Sequence, residues 1–287
     1  MKTKRQEYSG VSNLVIGANG YIGSALTGSL DCFSVDKDWV TNFRDESEMV
    51  HNFKTIILLG GFSSVSACEK NPEASWFNNV EFFRRILSAV SGSQRLIYAS
   101  SASVYGSTLK ATEGSPLPPP VKNYDLQKQT IDLIAQQQMR LGKNIVGLRF
   151  GTVNGLSPVT RVDLIVNSMV HNAIVNNIIP VSNEKSSRSI LFLPDLLRAI
   201  QIILETPNKS GIYNLSSFDS TIGEIAKSVS ELLDTPVEQS TSENNYSFTI
   251  TSEKFMREFG KFSTTDFRSL VQDLHSGLTS VERVRRD

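Results

Sequence analysis

The stretch LVIGANGYIGSAL, Leu14 to Leu26, joins an apolar run to an amphipathic segment through three glycines. Gly17, Gly20 and Gly23 are spaced three residues apart, where a strand is expected to end and a helix to begin. One glycine permits a tight turn, another lets the backbone approach a pyrophosphate, and the third lets the helix pack closely on the strand. Backbone N–H groups at the start of such a helix attract negative charge. This stretch therefore predicts a dinucleotide-binding turn.

An acidic residue follows at the spacing that such a turn requires. The run CFSVD ends in Asp36, nineteen residues after Gly17. A carboxylate at the tip of the second strand accepts hydrogen bonds from the adenosine ribose and repels a 2′-phosphate. The sequence therefore predicts NAD as the cofactor, with NADP as the second candidate because Lys37 would offset the repulsion. The alternative for Asp36 is a solvated carboxylate in a loop.

Short apolar runs alternate with amphipathic segments from Val11 to about Phe150. That alternation is typical of a parallel sheet covered by crossover helices. We predict an α/β fold with a Rossmann-type doubly wound parallel sheet. We place an NAD(P)-binding Rossmann domain at residues 1–154 and a smaller C-terminal substrate-binding lobe at 155–287, with a possible return of the chain to the first domain. The tail from Thr251 onward is polar.

The composition limits the partners. Lys plus Arg and Asp plus Glu both number 29, so charge gives no reason to expect nucleic acid or an anionic membrane. The apolar run TIILL is far too short to span a bilayer, and no targeting signal follows the N-terminus. Two cysteines do not make a secreted disulfide framework, which favours the cytoplasm. No metal site is expected, because no metal-ligand spacing joins the three histidines, His51, His171 and His275.

The segment RLIYASSASVYG, followed by NYDLQK, carries the candidate chemistry. Tyr124 and Lys128 are four residues apart on a predicted helix, so the ammonium can approach the phenol. A nearby cation stabilises phenolate and lowers a pKa that is ordinarily near 10, toward the range in which acid/base catalysis works. Ser101, at the end of a predicted strand, could bind the same substrate oxygen. These residues predict a site that moves a proton while a hydride moves between nicotinamide and carbon.

The chain resembles the extended short-chain dehydrogenase/reductase family, the NAD-dependent epimerase/dehydratase group that works mostly on nucleotide sugars. The resemblance covers nearly the whole chain. GANGYIG is similar to the family's glycine turn, ASSASVYG to its serine strand, and Tyr124 with Lys128 to its catalytic pair. LRFGTVNGLSP, SRSILFLPD and SEKFMREFGKFSTTDFRSLVQDL resemble segments of its substrate lobe.

The resemblance implies roles for individual residues. Tyr124 is the acid/base, Lys128 orients the nicotinamide ribose, and Ser101 holds the reacting oxygen. The implied cofactor contacts are Gly17, Asn19, Gly20, Tyr21, Ile22, Gly23, Asp36, Asn42, Leu59, Gly60 and Gly61, with Tyr124 and Lys128. The implied substrate contacts are Ser101, Ser103, Thr152, Asn167 and Arg188, of which the arginine would bind a nucleotide diphosphate and the asparagine would lie near it.

Departures from the family pattern narrow the reaction. Ala102 and Ser103 stand where sugar 4,6-dehydratases of the family carry an Asp-Glu pair, so the elimination lacks its proton donor. Cys32 and Cys68 do not match the pocket cysteine of 3,5-epimerases. Hydride transfer at a carbinol or ketone carbon remains. Arg161, in a segment similar to enzymes of surface polysaccharide synthesis, could contact substrate or pair with Asp163.

We therefore predict an NAD(P)-dependent nucleotide-sugar epimerase or ketoreductase, for which the resemblance also implies a homodimer. One alternative is a non-catalytic NAD(P)-binding sensor or assembly protein on the same fold. Another is a reductase of a non-sugar carbonyl, which depends on whether Arg188 binds a diphosphate.

Overall fold

The computed structural model describes residues 10–36, 48–206, 208–240 and 247–286. Asn42, a predicted cofactor contact, lies outside these residues. The strands within them are β1 Asn13–Ile16, β2 Phe33–Val35, β3 Thr55–Leu58, β4 Arg95–Ser101, β5 Asn144–Phe150, β6 Thr152–Asn154, β7 Ile179–Val181, β8 Ser187–Phe192, β9 Gly211–Leu215, β10 Phe218–Thr221 and β11 Val237–Gln239.

The helices in the described part of the chain connect these strands. They are α1 Tyr21–Thr27, α2 Val65–Lys70, α3 Pro72–Trp76, α4 Phe82–Ala89, α5 Asn123–Arg140, α6 Ile165–Asn176, α7 Leu193–Glu205, α8 Ile222–Leu233, α9 Glu253–Phe259 and α10 Phe267–Arg286. A π-helical turn, Phe77–Glu81, joins α3 to α4, and a 3₁₀ turn, Ala102–Tyr105, follows β4.

A central parallel sheet of six strands has the order β2-β1-β3-β4-β5-β9. The strand β1 pairs in parallel with β2 and β3, and β3 pairs in parallel with β4. Its strands are short apolar runs because helices cover both faces of such a sheet, so that Leu14, Val15 and Ile16 are all fully buried. This confirms the predicted Rossmann-type α/β fold.

The described residues divide into two compact units. The first comprises residues up to 104, with 117–149 and 203–213, and the second comprises 105–116, 150–202 and the residues from 214 onward. In the first unit, one apolar core joins the sheet to α4 and α5. Its members include Ile56 of β3, Ile86 of α4 and Ile131 of α5.

The second unit contains a three-stranded sheet, β10-β8-β6, and a two-stranded sheet, β11-β7. Its core lies among α6, α8 and α10, where Val170, Val229 and Leu274 are fully buried. The tail after Thr251, described from sequence only as polar, forms α9 and α10. Along α10 the buried Leu270, Leu274 and Leu278 recur every four residues, which is the spacing of an amphipathic helix.

Candidate active site

The three glycines after β1 let backbone segments approach more closely than side chains would allow. Gly17 has a φ of +95°, and a Cβ placed on it would lie 2.4 Å from the backbone nitrogen of Gly60. A Cβ on Gly23 would lie 2.0 Å from the carbonyl oxygen of Gly17. The turn after β1 can therefore pack against both α1 and the turn after β3 only because these positions are glycine. Gly20, which precedes α1, leaves the helix without a side-chain cap.

The turn after β3 is held by the end of β1. The backbone N–H groups of Leu59 and Gly60 both donate to the carbonyl oxygen of Ile16, each at 2.9 Å. Gly61 has a φ of +148°, and a Cβ on it would lie 2.4 Å from Oδ1 of Asn79. Two glycine turns therefore meet at the carboxyl ends of β1 and β3, the edge at which doubly wound sheets bind ligands.

The predicted cofactor residues around the first turn lie together. The Asn19 side-chain nitrogen donates to Oδ2 of Asp36 at 2.9 Å, so the carboxylate at the end of β2 is tied to the glycine turn. Asn19 is exposed and Asp36 half-buried. Tyr21 is buried at the start of α1, and Ile22 is half-buried beside it.

Tyr124 and Lys128 meet on the first turns of α5. The Lys128 ammonium nitrogen lies 5.6 Å from the centroid of the Tyr124 ring and donates to the carbonyl oxygen of Ala99 on β4 at 2.8 Å. Burial lowers the pKa of Lys128 to about 8, against the opposing effects of Asp132 and Cys68. The lysine is thus fixed between the tyrosine and the strand that ends in Ser101.

Ser101 is the last residue of β4, two positions after Ala99, and is half-buried. Its hydroxyl oxygen accepts a hydrogen bond from the backbone N–H of Ser103 at 3.2 Å. Ser103 also affects Asp125 of α5: burial raises the pKa of this carboxyl, and the nearby Ser103 hydroxyl opposes that rise. The short turn after β4 therefore lies close to the first turn of α5.

Two buried amides that the sequence analysis did not single out connect α5 to the turn after β3. Asn79 accepts from the backbone N–H of Phe62 at 2.8 Å and donates to its carbonyl oxygen at 3.0 Å. It also donates to Oε1 of Gln127 at 2.7 Å, and Gln127 donates to the Ser75 hydroxyl at 2.8 Å. Gln127 lies between Tyr124 and Lys128 along α5. No local pattern could have revealed this contact, because 48 residues separate its two amides.

The predicted substrate contact Arg188 lies on β8 in the second unit. It is only 8% exposed, and its guanidinium carbon lies 5.5 Å from the centroid of the Phe248 ring. One of its terminal nitrogens donates to the carbonyl oxygen of Ser187 at 2.9 Å. Thr152 is half-buried on β6 in the same unit.

Asn167, the other predicted diphosphate neighbour, is fully buried on α6. Its amide accepts from the N–H of Gly155 at 2.9 Å and donates to the carbonyl oxygen of Arg161 at 2.8 Å. The side chain therefore holds the loop between β6 and α6. Arg161 pairs with Asp163, one of the two alternatives left open for it, with Nε and Oδ1 at 3.0 Å, and this pair lowers the pKa of that carboxyl.

The described residues contain neither a candidate metal site nor a candidate membrane-spanning helix. No group of three or more His, Cys, Asp or Glu side chains there could hold a metal ion. The longest described helices are too short or too polar to cross a bilayer.

Residues 13–216 match the sequence model of the NAD dependent epimerase/dehydratase family. The chain belongs to this family. The match includes the glycine turns, β4, α5 and β8. Membership in the NAD dependent epimerase/dehydratase family agrees with the resemblance inferred from the motifs.

A curated relative of this epimerase/dehydratase chain is the uncharacterized protein MJ1055 of Methanocaldococcus jannaschii, 28% identical over 192 residues. The match covers 61% of this chain and 57% of the relative, so the chain spans little more than half of that protein's length.

Two solved structures share the fold at low identity. MoeE5 in complex with UDP-glucuronic acid and NAD is 21% identical, with a TM-score of 0.80 and coverage of 96% of this chain and 99% of that one. UDP-glucose 4-epimerase of Thermotoga maritima, with UDP-glucose, is 13% identical, with a TM-score of 0.83 and coverage of 95% and 100%.

Proposed function

We propose that the protein is an NAD-dependent nucleotide-sugar epimerase or ketoreductase. The observation that carries the proposal is the position of Lys128, whose ammonium lies beside the Tyr124 ring and is anchored to the strand that ends in Ser101. Family membership supports an NAD-dependent enzyme, and the fold-sharing proteins that bind UDP-sugars support the substrate class.

The residues present fit NAD. Side chains at Gly17 and Gly23 would collide with backbone, so only glycine allows the tight turn after β1 that suits a pyrophosphate. Asp36, oriented by Asn19, would accept hydrogen bonds from the adenosine ribose. When bound, the nicotinamide accepts or returns a hydride. NADP stays the second candidate.

In the proposed chemistry, Tyr124 takes the proton of the substrate hydroxyl during oxidation and returns it during reduction. Lys128 stabilises the phenolate form of this tyrosine by its positive charge and holds the nicotinamide ribose. Ser101 donates a hydrogen bond to the substrate oxygen and so fixes its place. Because Tyr124 reverses its role with the direction of reaction while Lys128 and Ser101 keep theirs, one site serves both epimerisation and net ketone reduction.

The substrate is proposed to be a sugar linked to a nucleoside diphosphate. Ala102 and Ser103 supply no carboxylic acid for eliminating water, so the reaction is hydride transfer at a carbinol or ketone carbon. We propose that Arg188 and Thr152 contact the nucleotide end. The bonds of Asn167 to the loop that follows β6 support an indirect role, in which it shapes the loop.

The test is turnover with NAD(H) and a panel of UDP- and dTDP-sugars. Removing the acid/base by Tyr124→Phe is expected to lower kcat by about 100-fold or more. Lys128→Met should act similarly, whereas the matched Lys122→Met, at an exposed lysine before the same helix, should retain full activity. Circular dichroism must confirm that each variant folds. Retained turnover in Tyr124→Phe would refute the assigned acid/base.

The same assay separates the two reactions and the alternatives. An epimerase interconverts sugars without net change in NADH absorbance, whereas a ketoreductase consumes NADH stoichiometrically. Tight NAD binding without hydride transfer to any sugar would favour a sensor or assembly protein. Turnover only with carbonyl compounds lacking a diphosphate would identify a non-sugar reductase, and charge reversal at Arg188 would then leave KM unchanged.

We also propose a homodimer formed through α5. Leu126 and Leu133, seven residues apart and therefore on one face of α5, are 40% and 62% exposed. Large apolar side chains repeated along an exposed helix face mark an interaction surface.

The cytoplasm stays the proposed compartment, since Cys32 and Cys68 are both free thiols. We further propose that the enzyme acts in polysaccharide biosynthesis.

A further inference from the structure

A buried charge cluster lies one helical turn beyond Lys128. Asp132 of α5, Arg149 of β5 and Tyr98 of β4 are each about 1% exposed. Oδ2 of Asp132 lies 2.7 Å from Nε of Arg149, and the Tyr98 hydroxyl donates to Oδ1 at 2.8 Å. Both carboxylate oxygens are thus bound by groups from two different strands, which fixes the orientation of the carboxylate.

The buried charge cluster and Lys128 are held by the same helix, α5, and the same strand, β4. Asp132 is four residues after Lys128, so the two side chains are neighbours on one face of α5. Lys128 donates to Ala99, and the next residue back along β4 is Tyr98, which donates to Asp132. Adjacent residues of one strand therefore hold the ammonium and the carboxylate.

The ionisable groups around Lys128 come from several elements. On α5 they are Tyr124, whose ring lies 5.6 Å away, and Asp132; on α2 the group is the Cys68 thiol. Tyr98 on β4 and Arg149 on β5 act on Asp132 from behind. Burial lowers the pKa of Lys128, and the carboxylate of Asp132 is the larger of the two effects that oppose this.

We propose that Asp132 is a positioning residue of the candidate site, which keeps Lys128 charged and directed toward Tyr124 without forming an ion pair with it. This inference rests on the proposed function. Arg149 and Tyr98 are essential to it, because a free carboxylate would move to the ammonium and draw it away from Ala99. A carboxylate already bound on both oxygens supports the positive charge through space and leaves the lysine donors available.

Tyr98 is suited to this task over a wide pH range. Burial and the neighbouring carboxylate raise its pKa well above the ordinary value, so the hydroxyl keeps its proton and remains a donor to Asp132. Arg149 stays charged at any working pH. The two groups that orient Asp132 therefore keep their protonation states, and Lys128 is the group expected to change charge with pH.

The direct test is the titration of Lys128 in the full-length protein without added ligand. The rate of acetylation by acetic anhydride is followed by mass spectrometry of the Lys128 peptide between about pH 6 and 11. The wild-type midpoint is expected at about 8. Asp132→Asn should move the midpoint down by about half a pH unit or more, because the supporting charge is lost while the shape is kept. Asp132→Glu should restore it.

A buried aspartate elsewhere provides the control for a purely structural effect. Asp195, fully buried in the second unit, binds the backbone N–H groups of Thr264 and Thr265. Asp195→Asn should destabilise the protein and leave the Lys128 midpoint unchanged. If Asp132→Asn does not fold, because Arg149 is then an unpaired buried charge, the double variant Asp132→Asn/Arg149→Met replaces it. A smaller downward shift is then expected, because the positive charge of Arg149, which itself disfavours the ammonium, is lost as well.

The outcomes separate this inference from the proposed function. An unchanged Lys128 midpoint in the folded Asp132 variant would overturn the inference, whatever the activity. A midpoint that is lowered in Asp132→Asn and restored in Asp132→Glu would establish it. If the wild-type protein transfers no hydride, the proposed function fails, and the acetylation midpoint still decides whether Asp132 controls the charge of Lys128.

Discussion

At the scale of single residues, the glycines after β1 have different tolerances that follow from their surroundings. A Cβ on Gly23 would lie 2.0 Å from a backbone oxygen, which cannot move aside without distorting the turn. We expect Gly23→Ala to lower the free energy of unfolding by about 1–3 kcal/mol and to abolish NAD binding. Gly28, at the end of the same helix, has a right-handed backbone and no atom closer than 3.6 Å to an added Cβ.

Gly28→Ala is therefore the matched control, expected to be neutral or stabilising by about 0.4–1 kcal/mol. Urea unfolding and calorimetric titration with NAD measure both properties. Equal effects of the two alanines would show that the close contact at Gly23 is unimportant.

From the lowered pKa of Lys128 we expect activity and stability to depend on pH in opposite directions. Its pKa is lowered from 10.5 to about 8 in the folded protein, so between these values the unfolded chain binds more protons. The contribution of this group to the free energy of unfolding therefore rises with pH through that window. Activity should fall above about pH 8, because the ammonium is then lost.

Rate profiles and urea midpoints across pH 7 to 11 test this expectation. Lys128→Met should remove this group's share of the rise in stability. If the activity of the wild-type protein is flat to about pH 10, the charge of Lys128 does not limit the reaction.

At the scale of secondary-structure elements, the sequence predicted correctly those features that depend on a local residue pattern. The run NIVGLRF coincides with β5, and the glycine turn lies between β1 and α1 as expected, since burial on both sides selects a continuous apolar strand. The joint between α3 and α4 was not predicted. Its π-helical turn places Asn79 against Phe62 and Gln127, and that geometry depends on partners remote in sequence.

Asn79 gives the prediction that belongs to this joint. Asn79→Ala leaves Gln127 and the Phe62 backbone without their partner, so we expect a loss of about 2–3 kcal/mol in the free energy of unfolding and weaker NAD binding. The neighbouring Asn78 is half-buried, and its side chain donates within its own helical segment, to the carbonyl oxygen of Ala74. Asn78→Ala should change stability by less than about 0.5 kcal/mol. Similar unfolding curves for both variants would contradict the bridging role.

At the scale of the whole molecule, the sequence alone predicted contacts between residues close along the chain, whereas contacts between distant residues required the structure. Tyr124 and Lys128 could be paired from their spacing alone, because a helix fixes where the fourth residue lies. The partners Ala99, Asp132 and Arg149 required the folded chain: the Lys128 bond to Ala99 spans 29 residues. Arg188 was predicted as a diphosphate ligand only by resemblance, and its burial against Phe248 could not be anticipated.

Assembly is the remaining property of the whole molecule, and it depends on the exposed face of α5. A stable pair buries roughly 1,000 Å² or more, with apolar side chains at the centre. Leu126 and Leu133 supply such a centre on a helix of 18 residues. We expect the wild-type protein to sediment as a dimer at micromolar concentration and Leu126→Lys/Leu133→Lys as a folded monomer. Leu109→Lys, at a leucine 58% exposed in the second unit, should remain dimeric. A monomeric wild-type protein, or a dimer that survives both lysines, would place the interface elsewhere or remove it.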